Sequence, residues 1–168
     1  MTAQLRLARE YERIKKDPID NVEFISEDEN LLVWKFTIMG PSESPYEGGI
    51  YNGVITFPST YPQDPPNVRF LTKLFHPNVY NKYDADGEGK YKPGDLCISI
   101  LHKGADETSG EHELERWRPI HNVRTIFVSI ISLLHDPNPD SAANIDAAKL
   151  WRDKRDMYYK KVRDDMEI

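Results

Sequence analysis

Between Val22 and Phe70 the chain offers only short extended runs, joined by short connections and with no helical period among them. This restricts the fold more than any other feature, because parallel strands need a crossover of about a dozen residues or more, usually a helix. The runs are Val22–Ile25, residues 31–39 with Leu32, Trp34, Phe36 and Ile38 on one face, residues 50–57 interrupted by Gly53, and residues 68–70. Asp28-Glu29-Asn30 is a plausible hairpin turn. Together they predict a four-stranded antiparallel meander.

Helical patterns flank this sheet. Residues 3–16 place Leu7, Tyr11 and Ile14 on one face and Arg6, Arg9, Arg13 and Lys16 on another, and Asp17-Pro18 ends the run. Residues 122–134 are apolar on most sides, as in a buried central helix. Asp136-Pro137-Asn138-Pro139-Asp140 stops it, and Ser141 is placed to cap a helix over 142–151, followed by another over 154–167. The expected architecture is α+β: an N-terminal helix, the meander, a long loop and three C-terminal helices, forming a single domain over residues 1–168.

Composition narrows the function classes. The sequence is 39% hydrophobic and 30% charged, with a formal net charge of −6. That balance argues against a general nucleic-acid binder. Basic residues crowd 6–16 and acidic ones 104–115, an asymmetry suited to protein partners that read complementary charge, although a solvated surface explains either cluster equally well. No apolar run approaches membrane-spanning length, and Met1-Thr2-Ala3-Gln4-Leu5-Arg6 lacks a signal core, so no direct membrane insertion is expected. Cys97 is the single cysteine, as fits a reducing compartment and a cytoplasmic or nuclear protein.

Cys97 cannot form an internal disulfide, so its value is packing or reactivity. Its neighbours favour reactivity, because it ends a proline-rich loop that contains His76-Pro77-Asn78. The histidines do not pair with a second cysteine at a metal-ligand spacing, so no metal is expected. Asp84 to Glu88 hints at a calcium loop, but the remaining ligand positions are missing. His76, preceding a proline, is expected as a buried hydrogen-bonding brace.

In this order the landmarks resemble the ubiquitin-conjugating enzyme family. They are Gly40-Pro41, Pro45-Tyr46-Glu47-Gly48-Gly49, Phe57-Pro58, Tyr61-Pro62, Pro65-Pro66, His76-Pro77-Asn78, the lone Cys97, Trp117-Arg118-Pro119 and Asp136-Pro137-Asn138-Pro139-Asp140. The long acidic stretch 103–115 resembles the subgroup with an acidic loop beside the active site, whose members build polyubiquitin chains. The pattern from Ser141 to Ala147 resembles its endoplasmic-reticulum-associated-degradation branch.

The resemblance implies an enzyme, an acyltransferase that takes activated ubiquitin as a thioester on Cys97 and passes it to substrate or ubiquitin lysines. It needs no bound cofactor, since the ubiquitin-activating enzyme uses the ATP. The implied partners are ubiquitin, that activating enzyme and a RING-type ligase, and recruitment to the endoplasmic reticulum membrane would come through a partner. Conjugation of another ubiquitin-like modifier, or a non-catalytic ubiquitin-binding variant, are the alternatives.

Asn78 is implied as an oxyanion donor, against a rival role tying the loop to its own backbone. Asp140 and Ser141 match the family's gate opposite the cysteine. Asp106 and Glu107 are candidates for positioning the incoming lysine. Arg6, Arg9 and Arg13 match the activating-enzyme site, and Gln63, Pro119 and Ile120 match the ligase-docking tips, Gln63 standing where relatives often carry a large apolar residue. The insert 80–94 makes the gap between Asn78 and Cys97 longer than is usual in the family. It is expected to keep an ordered base that leaves those two residues close, with a mobile tip.

Overall fold

The computed structural model describes residues 2–26, 29, 31–85, 87, 89–104 and 115–166 of the chain. Helix α1 (Ala3–Lys16) begins where the Thr2 hydroxyl accepts the Leu5 N–H at 3.2 Å, and it buries Ala3, Leu7 and Ile14. Its last turn carries Arg13, Lys15 and Lys16, which complement the negative end of the helix. Four strands follow, β1 (Val22–Ile25), β2 (Val33–Met39), β3 (Ile50–Thr56) and β4 (Asn67–Phe70), paired antiparallel in sequence order. The meander and the α+β class are therefore as expected.

Strand β2 starts later than the alternation of residues 31–39 suggests. Leu31 adopts a left-handed backbone, φ 57°, and its carbonyl accepts the Trp34 indole N–H at 2.8 Å, so the extended run cannot begin until Val33. The proposed turn at Asp28 and Asn30 lies outside the described residues. Gly53 is demanded by packing, because a Cβ there would sit 2.2 Å from the Phe36 ring and 2.6 Å from the Arg69 carbonyl. Phe36 and Phe70 are the cross-strand neighbours of Gly53, and their rings fill the space it leaves.

Helix α2 (Val123–His135) lies across the inner face of the sheet. Asn122 and Thr125 form a reciprocal capping box at its start, so Asn122 is the cap and not the first helical residue. Phe127 meets Phe24 and Phe36 edge-on at 4.8 and 5.0 Å, and Ile126 and Ile130 are buried beside it. A short 3₁₀ turn over Pro139–Ser141 precedes α3 (Ile145–Asp153) and α4 (Arg155–Asp165).

The expected cap at Ser141 is corrected here. Asn144 caps α3 by accepting the Ala147 N–H at 3.1 Å, and Ser141 lies in the 3₁₀ turn. The reason is local. The N–H groups of Ala143 and Asn144 both point at the Pro77 carbonyl, at 2.8 and 2.9 Å, so residues 142–144 are held extended against the loop before the cysteine.

Candidate active site

The loop after β4 is anchored before it reaches the cysteine. The Phe75 carbonyl accepts the Tyr46 hydroxyl at 2.6 Å and the Tyr158 hydroxyl at 3.3 Å, linking the 41–49 loop to α4. His76 is fully buried. Its Nδ1 accepts the Asn78 N–H at 3.0 Å, which leaves Nε2–H to donate to the Leu133 carbonyl of α2 at 2.7 Å. Burial pushes its pKa down to about 4, only partly opposed by the Leu133 bond, so the ring is neutral. It is a brace, as the sequence suggests.

Asn78 ties the same loop to the segment after α2. Its side-chain N–H₂ donates to the carbonyls of Asn138 at 2.9 Å and Ser141 at 3.1 Å, and its Oδ1 accepts the Asn138 N–H at 3.0 Å. Both amide hydrogens are engaged by carbonyls, so the implied oxyanion-donor role is not what this geometry displays. The rival role, bracing the loop against backbone, is. The backbone of Asn78 also reaches the cysteine, since its carbonyl accepts the Cys97 N–H at 2.8 Å and a bridge pairs Val79 with Leu96.

Asn78 and Cys97 are thus neighbours despite the long insert. The base of the insert is ordered: the Tyr80 N–H bonds the Asp95 carbonyl at 2.9 Å, and the Gly94 N–H bonds the Tyr80 carbonyl at 2.7 Å. Asp86 and Glu88, at its tip, lie outside the described residues.

Cys97 is half-buried and lines an open groove of about 670 Å³ together with Asn78, Asn138, Asp140, Ser141 and Glu115. Asp140 and Ser141 are exposed on the wall opposite the thiol loop. A smaller recess of about 210 Å³ opens on the other side of Cys97, lined by Tyr80, Tyr91 and His102. A 3₁₀ turn over Ser99–Leu101 swings His102 back until its Nε2 is 3.8 Å from the Cys97 sulfur. Tyr80 and Cys97 line this recess together, and burial, followed by the interaction with Cys97, raises the Tyr80 pKa well above its ordinary value.

Sequence reasoning passed over both residues at the sulfur. For Tyr80 no periodic signal existed, because Asn78 sits in a turn closed by the Val79 N–H on the His76 carbonyl, and Tyr80 lines the smaller recess and not the groove of Asn78. For His102 the 3₁₀ turn does the work, and spacing alone carries no trace of it.

The acidic loop is fixed at its ends. Trp117 N–H donates to the His102 carbonyl at 2.9 Å, Arg116 to the Gly104 carbonyl, and Lys103 pairs with Asp64 at 2.5 Å. Asp106 and Glu107 lie outside the described residues; among the described residues of this loop, Glu115 lines the groove.

At the far end of the molecule, Gln63, Pro119 and Ile120 are exposed, and their loops are joined by the Trp117 indole N–H on the Pro62 carbonyl at 2.8 Å. Arg9 and Arg13 are exposed on α1. Arg6 is tied inward, with Nε 3.1 Å from Glu10 and a second bond to the His121 carbonyl at 2.9 Å. Among the described residues no group of three or more His, Cys, Asp or Glu side chains is arranged to hold a metal ion, and no helix is long and apolar enough to cross a membrane.

Comparison with known proteins agrees with this layout. The family profile described as ubiquitin-conjugating enzyme matches residues 6–166. The chain is 44% identical over 162 residues to "Ubiquitin-conjugating enzyme E2 7" of Arabidopsis thaliana, covering 95% of this chain and 91% of the relative. It is 39% identical over 161 residues to "Ubiquitin-conjugating enzyme E2 G2" of Homo sapiens, covering 95% and 91%. With a full-length match to the profile and relatives this similar over nearly their whole length, the chain belongs to the ubiquitin-conjugating enzyme family, whose members are acyltransferases working through a cysteine thioester.

Proposed function

We propose that Cys97 is the acyl-carrying thiol. It takes ubiquitin from the activating enzyme, which has consumed the ATP, and passes it to a lysine amine. The observation that carries this reading is the thiol's placement. The half-buried Cys97 side chain lines an open groove, while its backbone is pinned at 2.8 Å to Asn78. In the first exchange the Cys97 thiolate attacks the ubiquitin thioester carbonyl of the activating enzyme, whose own thiolate leaves. In the second, the amine attacks the Cys97 thioester, the C–S bond breaks with its electron pair on sulfur, and the amine gives up a proton.

A thiol suits both steps, being strongly nucleophilic when ionised and a good leaving group. Incubation with activating enzyme, ATP and ubiquitin should give an adduct that a reductant cleaves. Cys97→Ser should convert it to a reductant-stable oxyester. A reductant-sensitive adduct that survives Cys97→Ser would overturn the assignment.

The finer reading is that the enzyme builds polyubiquitin chains for proteasomal degradation. A RING-type ligase would seat on Gln63, Pro119 and Ile120, and a partner would hold the enzyme at the endoplasmic reticulum. What supports the chain-building part is the acidic loop, whose base opens beside the thiol and presents Glu115 to its groove. Carboxylates there attract a lysine ammonium but also raise its pKa, so attack needs desolvation or a proton acceptor. Neutralising Asp106, Glu107 and Glu115 together should slow formation of ubiquitin–ubiquitin bonds more than discharge to free lysine. Equal rates in the two assays would remove the loop from this role.

A further inference from the structure

Among its described residues, the insert 80–94 brings Tyr80, Lys90 and Tyr91 to the recess beside Cys97. Its neck is registered against the sheet, with the Phe70 N–H on the Gly94 carbonyl at 2.8 Å. Gly94 has φ 95°, and a Cβ there would stand 2.1 Å from the Phe70 carbonyl oxygen, so only glycine allows this close approach. The Asp95 carboxylate accepts the Lys92 N–H at 2.8 Å and closes the turn. This neck lays Tyr91 flat on Tyr80, ring centroids 3.8 Å apart and planes 12° from parallel. Aromatic pairs generally favour offset or edge-on arrangements, and the core pairs of α2 with the sheet are edge-on, so a close face-to-face stack at the neck marks a ring held by its backbone.

We infer that Tyr91 is a positioning residue for the thiol: stacked on Tyr80, it holds the Tyr80 hydroxyl as a donor to the Cys97 sulfur and makes the neck of the insert a fixed wall on that side of the site. The inference rests on Cys97 being the acyl carrier. The phenol is suited to the task, since its raised pKa keeps the O–H in place through the neutral range. A donor on sulfur favours the thiolate of the free enzyme. When the amine attacks and the C–S bond breaks, the same donor meets the charge arriving on the leaving sulfur. Among the described residues, the other titratable groups lining the two cavities at the sulfur are His102, Tyr91, Lys90 and Asp95 in the small recess, and Glu115 and Asp140 in the large groove.

The test measures alkylation of the single cysteine by iodoacetamide between about pH 6 and 10, which requires no ubiquitin. Tyr91→Ala and Tyr80→Phe should each move the midpoint up by about half a unit to one unit. Tyr91→Phe, which keeps the stack, should match the parent. The double variant Tyr80→Phe/Tyr91→Ala should shift no further than Tyr80→Phe alone, because Tyr91 acts through Tyr80. A parental midpoint in Tyr91→Ala, or shifts that add in full, would overturn the inference. Tyr91→Leu, which retains apolar bulk at the neck, takes the place of Tyr91→Ala if the latter unfolds. If alkylation shifts as expected while no ubiquitin adduct forms, the positioning stands and the conjugating role fails.

Discussion

Asn78→Ala removes three side-chain hydrogen bonds at once and strands the Asn138 N–H and two carbonyls near the groove. Leaving such groups unpaired costs about 1–3 kcal/mol. Asn78→Asp should be worse, since a carboxylate would face the Asn138 and Ser141 carbonyl oxygens with no hydrogen to offer. Thermal unfolding should therefore rank the parent above Asn78→Ala and Asn78→Asp lowest, with thioester formation and lysine discharge slowed alike. Selective loss of discharge would restore the oxyanion-donor role. His76 gives a separate signature. The folded protein holds it near about 4, whereas the unfolded chain protonates it near ~6.5. Its contribution is thus intact above ~6.5 and lost as pH falls toward 4, by about 3 kcal/mol at most. His76→Gln, which does not titrate, should flatten the fall of stability over that window in urea titrations. An unchanged slope would mean the buried ring takes up the proton without penalty.

The segment between α2 and α3 shows which elements the sequence reveals and which it hides. A serine after a proline-rich stop reads as a helix cap, and nothing local to residues 136–147 says otherwise. The cap moved to Asn144 because the Pro77 carbonyl, distant in sequence, takes the N–H groups of Ala143 and Asn144. Asn144→Ala should accordingly cost about 1 kcal/mol or somewhat more, and Ser141→Ala, at an exposed position, much less. Chemical denaturation of the two variants decides this, and the reverse ranking would put the cap back at Ser141.

The strands, α1 and α2 were legible for the opposite reason, since alternation and helical period record burial residue by residue. Strand starts were not, as Leu31 shows, because a left-handed residue leaves no period to read. The site divides the same way. Cys97, Asn78 and His76 stand out as a rare thiol beside a proline-stiffened loop, whereas the approach of His102 and Tyr91 depends on a 3₁₀ turn and on the insert's neck.

At the scale of the molecule, the end away from the thiol is organised around the buried carboxylate of Glu10. It accepts the Tyr61 hydroxyl at 2.6 Å, the Val123 N–H at 2.8 Å and the Arg6 Nε–H at 3.1 Å, so α1, the 61–66 loop and the start of α2 converge on one side chain. Burial and the Glu10 charge raise the Tyr61 pKa, which keeps its O–H in the network. Arg6 completes it, lying over the Tyr61 ring at 5.6 Å and donating to His121, next to the exposed Pro119–Ile120 tip. The three arginines of one helix face therefore do different work. Arg9 and Arg13 are exposed charges, and reversing both to Glu should slow charging by the activating enzyme, most strongly at low salt. Arg6→Ala breaks a partly buried pair, so it should also cost about 1–3 kcal/mol of stability. Charging rates across a salt series, set beside thermal unfolding, separate the two cases. If Arg6→Ala leaves stability untouched, the Glu10 network does not hold the two loops to the helix, and Arg6 is a docking residue like its neighbours.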